Sequence, residues 1–112
     1  LCTLGDPLAD LGYLLNTWSA EGEEGAEGVG RSPTMAGGFP TREELVERYA
    51  AESGIDPADI DYYRAFRYWR LGAIIEGVYA RYVQGAMGEP PDDLDEMASR
   101  VPVLADRALE LL

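Results

Sequence analysis

Histidine and lysine are absent from this 112-residue chain, and cysteine occurs once, at position 2. Without histidine there is no imidazole base and no imidazole ligand for zinc. Without lysine there is no ammonium group to clamp a phosphate. A single cysteine excludes an intrachain disulfide and points to a reducing, cytoplasmic setting. No apolar run approaches the ~20 residues of a membrane span. The first residues also lack the basic and apolar pattern of a secretory signal.

Charge of one sign is scarce as well. Nine arginines face 21 acidic residues, a net charge of -12. That field repels nucleic acid and anionic membranes, so neither is expected as a partner. Hydrophobic residues make up 46% of the chain, enough for a packed core. No glycine-rich phosphate loop, calcium-loop spacing or serine–histidine pair is present, so no residue is assigned a catalytic or metal-binding role.

Helical signals fill most of the rest. Asp6-Pro7 reads as an N-cap and first helical residue, with Leu8, Leu11, Leu15 and Trp18 on one apolar face; the spacing predicts a helix over about 7–20. Residues 21 to 38 carry six glycines and four glutamates without periodicity, and about 21–40 is expected to be a long loop. Thr41-Arg42-Glu43-Glu44 is a capping box opening a helix over about 41–54, with Phe39 stapled onto Leu45 and with Leu45, Val46 and Tyr49 inward. Asp56-Pro57 repeats the aspartate–proline start, and a helix is predicted over about 57–84. Its apolar centre, Trp69 to Val83, reads as the buried helix of the fold, with Gly72 and Gly77 admitting a neighbouring helix. A last helical segment covers about 93–112, broken or kinked before Pro102. The fold class is therefore all-α, with four to five helices and a long acidic, glycine-rich loop.

The segment Leu4-Gly5-Asp6-Pro7-Leu8-Ala9-Asp10-Leu11 resembles the aminoglycoside phosphotransferase family, in particular the branch related to the kinase-like domain fused to some acyl-CoA dehydrogenases. The likeness continues at Gly38-Phe39-Pro40-Thr41-Arg42-Glu43-Glu44-Leu45, at Tyr49, at Tyr62 through Leu71 and at Gly77 through Tyr82. It implies the helical C-terminal subdomain of a protein-kinase-like fold, whose parent moves the ATP γ-phosphoryl group to a substrate hydroxyl with Mg2+. In that family the metal aspartate and the catalytic loop come earlier in the chain, and Leu1-Cys2-Thr3 looks like the connection just after them. By that reading these 112 residues bind neither ATP nor Mg2+ alone and are inactive alone. Their partner is then the catalytic half of the parent, or a second copy of themselves.

The resemblance gives Asp10 the role of supporting the catalytic loop from beneath, beside its reading as a first-turn carboxylate favoured by the helix dipole. Asp6 reads as a cap without chemistry. Glu21, Glu23, Glu24 and Glu27 read first as a solvated loop, and otherwise as an attractor of a cationic substrate. The aromatics Tyr62, Tyr63, Phe66, Tyr68 and Trp69 read first as core. The sharper reading makes Trp18, Tyr62, Phe66, Trp69 and Arg70 a wall of the substrate cleft. Arg70 is expected to need a carboxylate if buried, and Asp61–Arg64 to form an i,i+3 pair. The alternative function is a stand-alone acidic helical module that binds a partner or self-associates.

Overall fold

The computed structural model describes residues 4–20 and 32–112. Leu1 to Thr3 and the acidic run Glu21 to Glu27 lie outside the described residues. Among the described residues there are four α-helices, one short 3₁₀ turn and no strand. The fold is all-α.

Helix α1 spans Pro7–Thr17, with the Asp6 carboxylate accepting the Leu8 amide at 3.0 Å and proline at its first position. Its end comes about three residues earlier than the apolar spacing suggests, because Trp18 turns to extended backbone. A 3₁₀ turn, Pro33–Ala36, lies within the stretch expected to be loop. It is tied down by Thr34, whose Oγ1 accepts from the Ser19 amide and donates to the Ser19 carbonyl at 2.8 and 2.7 Å. Since that hydroxyl has one proton, Ser32 is the donor in the 2.8 Å Ser32–Thr34 contact.

Helix α2, Arg42–Ser53, opens on the capping box: Thr41 Oγ1 accepts from the Glu44 amide at 3.1 Å, and the Glu44 carboxylate accepts from the Thr41 amide at 2.7 Å. Gly54, left-handed at φ 73°, stops it. Helix α3, Ile60–Val83, starts later than Asp56-Pro57 suggests. The Asp56 carboxylate accepts from Ala58, and the Ile60 amide donates to the Pro57 carbonyl, so residues 57–59 form a turn ahead of the helix. Helix α4, Leu94–Glu110, runs through Pro102 instead of breaking there. The proline is on the exposed side, where solvent can reach the carbonyl that loses its intrahelical donor.

Both α1 and α4 pack on α3. Leu8, Leu11 and Leu15 of α1 form one core with Leu45, Val46 and Tyr49 of α2 and with Ile60 and Tyr63 of α3. Ala65 and Tyr68 of α3 form another with Leu104 and Ala108 of α4. The buried part of α3 is thus its first half. Within Trp69–Val83 only Gly72 is buried, and Trp69, Ile74 and Val83 are exposed, which corrects the reading of that stretch as a buried helix. A Cβ on Gly72 lies 3.7 Å from Leu104 Cβ, an ordinary contact across a close helix pair, whereas Gly77 faces open space.

Candidate functional site

Helix α1 is keyed into α3 by polar contacts that flank its leucines. Asn16, buried at the end of the apolar stripe, donates to the Arg64 carbonyl at 2.9 Å and accepts from Arg64 Nε at 3.1 Å. Arg64 also reaches Asp61, the anticipated i,i+3 pair, at 3.8 Å. One turn on, Arg67 Nε donates to the Ala9 carbonyl at 3.1 Å, and its guanidinium lies 5.8 Å from the Tyr13 ring centre. From α2, Arg42 Nε donates to the Leu15 carbonyl at 3.0 Å, near the end of α1.

Tyr63 donates its hydroxyl to the second oxygen of Asp6. That hydrogen bond raises the Tyr63 pKa above its ordinary 10.0, and burial and the charges of Asp6 and Asp59 push the same way. Asp6 is therefore a cap that also binds α3. Gly12 is where the helices come closest: a Cβ there meets Tyr63 C and Cβ at 3.2 Å and Arg64 N at 3.3 Å. Asn16, Tyr63, Arg67 and Gly12 carry this corner; the core reading holds for the Tyr63 ring, which packs against the α1 leucines, but its hydroxyl contact and the roles of the other three were not anticipated. The available signals were an asparagine on the Leu8–Leu15 face and a glycine inside a leucine-rich helix.

Asp10 stands at this corner with its side chain 92% exposed, its nearest cation being Arg67 at 3.9 Å. The contact is loose, so the carboxylate keeps most of its capacity to accept hydrogen bonds.

The residues assigned to a substrate cleft fall in two places. Trp18 donates Nε1–H to the Pro40 carbonyl at 2.8 Å and packs edge-on against Phe39, with ring centres 5.8 Å apart. Leu45, the expected partner of Phe39, joins the core under α1. Trp18 and Phe39 help line a cleft of about 300 Å³ beside the first turn of α2. Tyr62, Phe66 and Trp69 line a separate apolar groove of about 370 Å³ between α3 and α4. These three side chains are largely exposed, so the core reading holds for Tyr68 but not for them. Arg70 is exposed too and needs no buried carboxylate.

Among the described residues no three acidic, cysteine or histidine side chains converge as metal ligands. No helix among them is long and apolar enough to cross a membrane.

Along its length the chain is similar to acyl-CoA dehydrogenase family proteins. It is 32% identical over 115 residues to acyl-CoA dehydrogenase family member 11 of Gallus gallus, a match covering 99% of this chain and 14% of the relative. The Rattus norvegicus member 11 is 31% identical over 113 residues, with the same coverage. Acyl-CoA dehydrogenase family member 10 of Mus musculus is 37% identical over 87 residues, or 76% of this chain and 8% of the relative. The chain thus spans about one seventh or less of the length of these curated relatives. No family model matches it, and no solved structure matches it.

Proposed function

We propose that these residues form the substrate-side helical part of an aminoglycoside-phosphotransferase-like kinase within a longer, multidomain protein, and that the parent transfers the ATP γ-phosphoryl group to a substrate hydroxyl. One observation carries the reading. The motif helix is locked onto α3 through Asn16–Arg64 and Arg67–Ala9, while Asp10 in its first turn keeps an exposed carboxylate. A rigid helix with an exposed acid at its start, only loosely paired with Arg67, suits a residue that holds a neighbouring catalytic loop in place. The motif's resemblance and the similarity along 99% of the chain to a member 11 protein support the same reading.

Phosphoryl transfer needs a base, metal ligands and a phosphate clamp. In this reading those groups come from other parts of the parent, as does the nucleotide. Asp10 is a positioning residue whose carboxylate accepts hydrogen bonds from the catalytic-loop backbone. The test uses the longer protein that contains this stretch. Asp10→Asn is expected to lower kcat for ATP-dependent phosphorylation at least about tenfold, with KM for ATP and thermal stability little changed. Unchanged turnover, or absence of any ATP-dependent phosphorylation in the parent, overturns the proposal.

A further inference from the structure

The groove between α3 and α4 is open and lined by carbon. Tyr62, Phe66 and Trp69 form one wall, and Leu109 and Leu112 the other. Trp69 is 61% exposed and Leu109 68%. A contiguous apolar face of this kind marks an interaction surface.

Two opposite charges flank the α3 wall without a partner among the described residues. Arg48, Arg64, Arg67 and Arg100 each have a carboxylate partner. Arg70, next to Trp69, makes no hydrogen bond or ion pair among the described residues, and neither does the Asp59 carboxylate at the head of α3. Asp59 and Arg70 are eleven positions apart, about three helical turns, so they lie on one line along α3. That line runs beside the Tyr62–Phe66–Trp69 stripe.

We infer that this face binds a second copy of the chain, the two α3 helices lying antiparallel across a two-fold axis near Phe66. A two-fold makes every contact twice. Tyr62 then meets Trp69 of the second copy, Phe66 meets its own counterpart, and Asp59 meets Arg70. The midpoints of the 59–70 and 62–69 pairs both fall between residues 64 and 66, so one axis serves both. Association of chains with a net charge of -12 works against long-range repulsion. An interface must therefore be apolar and bring its own opposite charges into register, as this face does. The inference is independent of the phosphotransferase reading.

Sedimentation velocity on the 112-residue chain tests it. A concentration-dependent species of twice the 12.2 kDa chain mass is expected. Arg70→Asp and Asp59→Arg are each expected to weaken association about tenfold or more, and the double charge swap to restore it. Trp69→Lys should leave a monomer. All three positions are exposed, and circular dichroism checks that each variant is folded. A wild-type monomer at concentrations on the order of 100 μM overturns the inference, because an interface of standard size associates below that. A dimer indifferent to both single reversals, or a double swap no better than the singles, overturns it equally.

Discussion

Asn16 and Arg64 hold each other in both directions: the asparagine amide donates to the arginine's backbone carbonyl, and the arginine Nε donates to the asparagine's side-chain oxygen. Both side chains are largely buried, Arg64 at 15% exposure. Removing one partner leaves the other's polar atoms without an equivalent. Asn16→Ala is expected to destabilise the fold by about 1–3 kcal/mol in urea unfolding. Asn16→Asp keeps an acceptor for Arg64 Nε but loses the donor to the carbonyl, and should fall between wild type and alanine. Equal stability of all three forms would show that the pair does not join α1 to α3.

Gly12 and Gly77 make a matched comparison. Both are helical glycines, and alanine at either gains ~1 kcal/mol of helix propensity. At Gly77 nothing lies within 4 Å of the added carbon, so Gly77→Ala is expected to stabilise. At Gly12 the added carbon meets Tyr63 main chain at 3.2 Å, and a helix backbone cannot swing aside as a side-chain tip can. Overpacking of this kind costs ~1–3 kcal/mol, so Gly12→Ala is expected to be net destabilising. Thermal melts of the two variants, which should shift in opposite directions, decide the point.

Tyr63 gives a pH signature. Its hydrogen bond to Asp6 favours the protonated phenol in the folded state and raises its pKa above 10.0. The folded state then binds the proton more tightly than the unfolded state. The contribution is complete below the unfolded pKa and is lost as pH rises through the folded one. Tyrosinate absorbance should show one phenol titrating late in the native protein and absent in Tyr63→Phe. Urea midpoints should fall more steeply as pH rises above about 10 for wild type than for the variant. Parallel profiles count against the Asp6–Tyr63 bond.

Leu104 is fully buried at 0% exposure between α3 and α4. Leu104→Ala removes three carbons from a site packed by Ala65 and Tyr68 and should cost about 2–5 kcal/mol. A loss below 1 kcal/mol, measured by denaturant unfolding, would mean that this core is loose.

Local chemistry made the helix starts legible. Asp6-Pro7 and the Thr41–Glu44 box satisfy backbone donors within a few residues, and so does the Gly54 stop on the carbonyl side. What depended on distant contacts was hidden. Asp56-Pro57 has the same letters as Asp6-Pro7, yet its carboxylate closes a turn before the helix begins. Pro102 reads as a breaker, but on an exposed helix face its missing donor is tolerated. The Tyr62–Trp69 stripe has the spacing of a core face, and nothing in that spacing tells whether a neighbour covers it. For the same reason Trp18 was grouped with aromatics that the fold places in another cleft. The polar contacts fixing the α1–α3 corner are not legible in the sequence, because Asn16, Arg67 and the Tyr63 hydroxyl acquire these roles only once the helices cross.

The two cores sit at different stretches of α3 and share no residue. Such an arrangement gives one continuous rod with two separately protected regions, so native-state hydrogen exchange should resolve two sets of slow amides. Helix α3 is the element common to both cores, so it ties the α1 corner to the α4 side of the chain.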